Sequence, residues 1–150
     1  MAFKLPQSDG LVLTGLVLVS PQHCDTMGHL TVKEYIGFFD QASWFLFSSI
    51  GYCSSWREAR CLGWADVRSV ANYRAELRLG ELAYIWTSVT AVGTKSLTVH
   101  HQMRRANDDS LCATLESVIV QFDLSARCAV PLDPSVKLGA QALLADHPVV

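Results

Sequence analysis

The feature that most limits how this chain can fold is one long, almost wholly apolar helix. Tyr35, Phe39, Ala42, Leu46 and Ile50 recur at spacings of three and four residues, which sets them on one helical face. Ile36, Phe38, Phe45 and Phe47 carry the apolar character round to the other faces. The spacing therefore predicts a helix over 32–50 that needs cover on most sides. Thr31 with Glu34 three residues on is a capping-box pattern, in which each residue's side chain satisfies a backbone N–H of the other. Gly51 stands where a left-handed C-terminal residue is wanted.

The rest of the chain supplies the cover. An apolar run over 11–19 reads as a strand before the helix. After a short helix or loop over 54–62 the pattern becomes that of strands separated by turns. Residues 65–79 read as a long extended segment, bent near Leu79-Gly80-Glu81. Residues 83–92 are rich in β-branched and aromatic types. Gly93-Thr94-Lys95-Ser96 is a hairpin turn, after which Leu97, Val99, His101 and Met103 alternate with Thr98, His100, Gln102 and Arg104. Asn107-Asp108-Asp109-Ser110 is the next turn and 111–124 a further strand. The order is strand, long helix, then four antiparallel strands. A sheet with one face to bury and a helix apolar all round are both satisfied when the sheet wraps the helix. This is the α+β hot-dog architecture, an antiparallel β-sheet around one long central helix. A single domain over 1–150 is expected, regular over about 10–134. Pro131 and Pro134 end the regular part, and the weakly specified tail over 135–150 has room for one short helix.

Composition narrows the function classes. Half of the 150 residues are apolar and 17% are charged, which suits a sizeable core and argues against disorder. The net charge of −2, with no run of like charges, lacks the basic footprint of a nucleic-acid binder. No segment reaches about 18 uninterrupted apolar residues, so no membrane span is expected. The first ten residues have no apolar core of signal-peptide type. Five cysteines (24, 53, 61, 112 and 128) form no Cys-x-x-Cys pair and suggest free thiols in a reducing cytoplasm. Each reads as a small buried hydrophobe, with Cys24 set apart by its neighbour Asp25. No metal site is expected: His23, Cys24, Asp25 and His29 match no common ligand spacing, and His100 and His101 point to opposite faces of a strand. Trp44, Trp56, Trp64 and Trp86 read as core or interface.

The residues that can do chemistry gather where the first strand meets the helix, at Asp25, Gly28 and His29. A carboxylate beside a helix N-terminus can act as base or nucleophile. The first-turn N–H groups, that of Val32 most directly, can polarise a carbonyl. Gly28 lets the backbone turn tightly there. An Asp in this place also serves as a turn or capping residue, and a His as a hydrogen-bonded structural group. Asp40, within the helix, is either a second polar group in a pocket or part of a surface stripe with Lys33 and Trp44.

The order of these residues resembles that of the acyl-CoA thioesterases of the 4-hydroxybenzoyl-CoA thioesterase type. The resemblance runs through Asp25-Thr26-Met27-Gly28-His29, Tyr35 and Phe39-Asp40-Gln41-Ala42. It continues through Asn72-Tyr73-Arg74 with Leu79-Gly80-Glu81, and Gly93-Thr94-Lys95-Ser96-Leu97. It covers roughly residues 12–134. One departure is that Leu30 and Thr31 stand where the family often has Asn soon after the His. The resemblance implies hydrolysis of an acyl-CoA to CoA and a carboxylic acid. Asp25 would attack the thioester or activate a water, Val32 would face the thioester oxygen, and His29 would orient Asp25 or line the pocket. Gly28, Tyr35 and Asp40 would border the substrate, and Tyr73, Arg74, Lys95, Ser96, Arg104 and Arg105 would lie toward CoA. Lys95, Arg104 and Arg105 would hold its phosphates or else form a solvated hairpin end. No cofactor is implied beyond the CoA of the substrate. The implied working unit is a homodimer, possibly a dimer of dimers, with 83–92 as an edge unsuited to exposure. Asp25 of one chain would meet the 72–74 and 93–96 segments partly of the other. Two further functions are possible on this fold. The dehydratases or hydratases resemble Asp-x-Asn-Pro-x-His, whereas here four positions separate Asp25 from His29 with no Asn or Pro between. A non-catalytic acyl-CoA-binding module needs a pocket but not Asp25.

Overall fold

The computed structural model describes residues 4–144. In chain order the elements are β1 (Gln7–Ser8), β2 (Leu11–Leu18), a 3-10 turn (Pro21–His23), α1 (Val32–Ser49), α2 (Trp56–Ala59), β3 (Leu62–Tyr73), β4 (Leu82–Val92), β5 (Ser96–Arg105), β6 (Leu111–Asp123), β7 (Cys128–Ala129) and α3 (Pro134–Ala142). The strands pair antiparallel in one sheet of order β1-β2-β4-β5-β6-β3, with β7 added on β6. One face of this sheet covers α1, which gives the α+β hot-dog architecture expected from the sequence.

The expected stripe of α1 is buried: Tyr35, Phe39, Ala42, Leu46 and Ile50 are all at most 5% exposed. Tyr35, Phe39 and Ala42 pack in one apolar cluster with Leu30, Leu77, Ile85 and Met103. Leu46, Phe47 and Ile50 pack in a second with Val89, Leu97, Ile119 and the α3 residues Val136 and Ala140. A polar chain crosses the core where the clusters meet. Thr14 Oγ1 lies 2.7 Å from Thr87 Oγ1, which lies 2.6 Å from His101 Nδ1, and His101 Nε2 lies 3.0 Å from Ser43 Oγ on α1. Every member is satisfied if Thr14 donates to Thr87, Thr87 to Nδ1, Nε2–H to Ser43, and Ser43 to the Phe39 carbonyl at 3.2 Å. Burial pushes His101 down to about 3, so its ring is neutral.

Several sequence expectations are corrected. The Thr31 hydroxyl accepts from Glu34 N–H, but Glu34 does not reach back, because the Thr31 N–H already donates to the His23 carbonyl at 3.0 Å. The outer faces of α1 are not covered: Ile36, Trp44 and Phe45 are exposed, since the sheet reaches round one side only. The long extended segment ends at Tyr73 rather than 79. The N–H groups of Arg74 and Ala75 both bond the Cys112 carbonyl, which closes the ladder and sends the chain across to the Asp25 loop. The strand over 83–92 is no edge, because β4 lies between β2 and β5; the long open edge is β3. All five cysteines are free, but only Cys112 is buried, while Cys53, Cys61 and Cys128 are exposed at turns and strand ends. The tail does hold one short helix, α3, against the second cluster; residues 145–150 lie outside the described residues.

Candidate active site

Asp25 sits in a loop built by its own side chain. Its Oδ1 accepts from the N–H of Met27 at 2.8 Å and of His29 at 3.2 Å, while the Asp25 N–H donates to the His29 carbonyl at 2.8 Å. The loop turns through Gly28, whose φ of +79° is a left-handed conformation open to glycine at little cost. The loop is anchored to the segment after β3 by Leu30 N–H to the Leu77 carbonyl at 2.7 Å and by a bridge between His29 and Arg78. Asp25 Oδ2 accepts no hydrogen bond among the described residues.

The loop delivers the chain to α1. The N–H groups of Val32 and Lys33, the first two of the helix, have no acceptor among the described residues, and Val32 is exposed. A groove opens here, lined by Asp25, His29, Val32 and Tyr35 with Tyr73, Arg74 and Glu76. Tyr35 and Tyr73 meet edge to face with centroids 5.3 Å apart, forming an aromatic wall. Burial, more than any neighbour, pushes the Tyr35 hydroxyl up to about 12, so it stays protonated at ordinary pH. Across the groove, His29 Nε2 is 3.1 Å from Glu76 Oε2. Glu76 is held below the usual carboxylate range, first by its hydrogen bonds from Arg78. The His29 ring therefore pairs with Glu76 and lines the groove, and it does not orient Asp25, whose carboxylate meets only the His29 backbone. Glu76 had no motif to announce it, and only the docking of the segment after β3 brings it to the site.

Gly28, which carries the turn of the loop, and the groove-lining residues Asp25, His29, Val32, Tyr35, Tyr73 and Arg74 thus come together in one chain. The other expected site residues do not join them. Asp40 is exposed on α1 and does not line the groove. Arg105 lies toward the groove but is committed to structure: it donates to the Glu76 carbonyl at 2.6 Å and to Asp108 and Ser110, with Glu81 at 3.5 Å. Arg104 donates to Gln102 and to the Asp109 carbonyl. Lys95 and Ser96 lie at the opposite end of β5 from these arginines, a strand length of about 30 Å away. In one chain they cannot share a ligand with the Asp25 groove.

A more apolar groove runs between α1 and β2, walled by Leu13, Val17, Phe38 and Phe45, but its lining holds no ionisable side chain to do acid–base work. Among the described residues no cluster of three or more His, Cys, Asp or Glu could hold a metal, and no helix is long and apolar enough to cross a membrane.

No curated protein matches the chain. Several solved structures do. A Staphylococcus aureus protein determined in complex with CoA superposes with a TM-score of 0.85 at 17% identity, covering 99% of this chain and 90% of its own. A 1,4-dihydroxy-2-naphthoyl-CoA thioesterase from Synechocystis gives 0.77 at 17% identity, over 91% and 98% of the two chains. A gentisyl-coenzyme A thioesterase gives 0.75 at 18% identity, over 84% and 98%. At such identities these likenesses show the fold. The family description that fits the sequence itself is that of the thioesterase-like superfamily, matched over residues 19–139. That span takes in the Asp25 loop, α1 and the sheet from β3 to β6, and the chain accordingly belongs to the thioesterase-like superfamily of thioester hydrolases.

Proposed function

We propose that the protein hydrolyses acyl-CoA thioesters to CoA and a carboxylic acid, with Asp25 as the reacting carboxylate. The observation that carries this reading is the meeting, in one groove, of Asp25, whose Oδ2 is unengaged, with Val32, whose first-turn N–H is unclaimed. A thioester oxygen placed on Val32 N–H gains a donor where negative charge develops, and the positive end of α1 adds to it. Asp25 Oδ2 then attacks the carbonyl carbon, expelling the CoA thiolate and leaving an anhydride that water cleaves. Alternatively it takes a proton from a water that attacks directly; either route ends with CoA and the free acid. His29, held by Glu76, lines the groove and fixes the loop. The Tyr35–Tyr73 wall shelters the acyl group, and Tyr73, at the rim, reaches toward CoA. The S. aureus protein solved with CoA and the two aroyl-CoA thioesterases of the same fold support a CoA thioester as substrate. The working unit is a homodimer, in which Lys95 and Ser96 serve the site of the other chain.

A panel of acyl-CoAs mixed with a thiol-trapping reagent tests the reading. Thiol release with at least one member is expected. A hydratase or dehydratase would change the absorbance of an enoyl-CoA without releasing thiol, and a binding module would do neither.

A further inference from the structure

Thioester cleavage at Asp25 needs a proton from elsewhere. Breaking the C–S bond frees CoA as an alkyl thiolate, whose parent thiol, like that of cysteine, has a pKa of about 8.5. At neutral pH such a sulfur leaves more readily if it gains a proton as the bond breaks. Asp25 is spent on the carbonyl carbon or on the water. The other ionisable side chains lining the groove are His29, Tyr35, Tyr73, Arg74 and Glu76. Of their types, phenol, guanidinium, carboxylate and imidazole, only the imidazole both gives and takes a proton readily between about pH 5 and 8.

His29 is fixed at three points. Its backbone N–H donates to Asp25 Oδ1 at 3.2 Å, its carbonyl accepts from the Asp25 N–H at 2.8 Å, and its ring Nε2 lies 3.1 Å from Glu76 Oε2. Glu76 is fixed in turn. Arg78 donates to its Oε1 from Nε at 3.1 Å and from Nη2 at 2.6 Å, and Arg105 donates to its carbonyl at 2.6 Å. Those Arg78 hydrogen bonds, first among the causes, keep the Glu76 carboxyl below its usual range, so it accepts and Nε2 carries the proton. Nδ1 makes no hydrogen bond among the described residues, and the ring lines the groove with Asp25 and Val32. His23, earlier in the chain, is the contrast: its Nδ1 accepts from the Ser20 N–H at 3.1 Å and its ring packs on Phe38. A carboxylate on one ring nitrogen, with the other nitrogen left free, is the arrangement by which an imidazole passes protons.

We propose that His29 is the proton donor to the departing CoA sulfur, and that Glu76 is the positioning residue that fixes the ring's standing proton on Nε2 and leaves Nδ1 to the substrate. The proposal rests on the groove being the thioester site. On the covalent route Asp25 Oδ2 bonds to the carbonyl carbon, the C–S bond breaks, and Nδ1–H gives its proton to the sulfur. The bare Nδ1 then takes a proton from the water that opens the anhydride, which frees Asp25 as carboxylate and the product as acid. On the direct route Nδ1–H protonates the sulfur in the same way, and regains a proton from Asp25, which had taken it from the attacking water. Either way the ring ends as it began.

Two thioesters of one acyl group test this, with the acyl group taken from the best acyl-CoA. One is the ester of N-acetylcysteamine, an alkyl thiol like that of CoA; the other is the ester of thiophenol, a more acidic thiol whose thiolate leaves without a proton. On the alkyl ester His29→Gln should lose about a hundredfold or more in kcat/KM. On the aryl ester it should lose less than about tenfold. Glu76→Gln, outside the Asp25 loop, should show the same preference with a smaller loss, and neither variant should change the KM for acyl-CoA more than about twofold. Equal losses on both esters, or a loss confined to KM, would overturn the proposal while wild-type thiol release upholds the thioesterase reading; a wild type that releases no thiol sinks both. A second readout needs no substrate. In nitrogen-15 spectra of the free wild type the neutral His29 ring should carry its proton on Nε2, and Glu76→Ala should shift it toward Nδ1. A wild-type ring protonated on Nδ1, or one indifferent to Glu76, would remove Glu76 from the role.

Discussion

At the scale of single residues, Asp25 divides its work between two oxygens. Oδ1 holds the loop by accepting from Met27 and His29, and Oδ2 is unengaged, open to the part in thioester hydrolysis proposed above. Asn can keep the first task and lacks the charge for the second. Asp25→Asn should therefore fold with an unchanged melting temperature and lose several orders of magnitude in kcat on its best acyl-CoA; a folded variant of near wild-type rate would remove Asp25 from the chemistry. Cys24, next along the chain, is half-buried with its thiol 3.5 Å from the Ser20 carbonyl and turned to structure. Cys24→Ser should keep its activity, and an inactive but folded variant would point to a thiol nucleophile. This part of the site was legible because it is local: an Asp, a Gly and a His within five residues bond to one another whatever the rest of the fold does. Glu76 was not legible, since it lies some fifty residues on, in a segment whose sequence says only that it leaves a strand. Asp40 shows a related limit, because helical spacing gives a residue's face but not what that face meets.

At the scale of elements, the periodicity of α1 foretold its buried stripe because side-chain direction repeats with the helix. It could not foretell how far round the sheet would reach, and the rings on the outer faces stay exposed. Strand alternation likewise gave the inward residues of β5 but not the order of strands, so the open edge was assigned to the wrong one. Two element contacts invite measurement. A Cβ at Gly139 of α3 would stand 2.2 Å from the Ile50 carbonyl oxygen, at the far end of α1 from Asp25. Gly139→Ala should push α3 off and cost about 1–3 kcal/mol of stability, read as a lower urea midpoint, with kcat at 25 °C little changed. His101, in the polar chain that ties Ser43 to the sheet, sits at about 3 against an ordinary 6.5. Between those values the unfolded chain binds a proton that the folded chain refuses. Its contribution is whole above pH 6.5 and is lost as pH falls toward 3, by up to about 1.4 kcal/mol per pH unit. His101→Leu abolishes that titration. It should be less stable than wild type at neutral pH, where it leaves Ser43 and Thr87 short of a partner. The gap in urea midpoint should narrow from pH 7 to pH 4; a gap that stays constant would mean that His101 does not titrate with unfolding.

At the scale of the molecule, the two ends of the sheet are unlike. One carries the Asp25 groove, with Arg105 tied to Glu76 beside it; the other carries Lys95, about 30 Å away along β5. Within one chain Lys95 can have no part in the reaction at Asp25. In the homodimer proposed above, the Lys95 end of each chain would lie toward the groove of the other. A lysine so placed would meet a CoA phosphate, and as an exposed charge it would contribute to binding and not to the transition state in particular. Lys95→Ala should raise the KM for acyl-CoA several-fold and leave kcat within about twofold, the signature of lost uniform binding. The effect should shrink at high salt as screening sets in. Because Asp25 and Lys95 would then serve one site from different chains, the two defects should complement. In an equimolar mixture of Asp25→Asn and Lys95→Ala chains, half of the dimers formed at random are mixed. Each mixed dimer holds one site with both residues and one with neither, so about a quarter of all sites are intact. At substrate well below KM the mixture should exceed the mean of its two parents once subunits have exchanged; activity that stays at that mean would place Lys95 outside the site altogether.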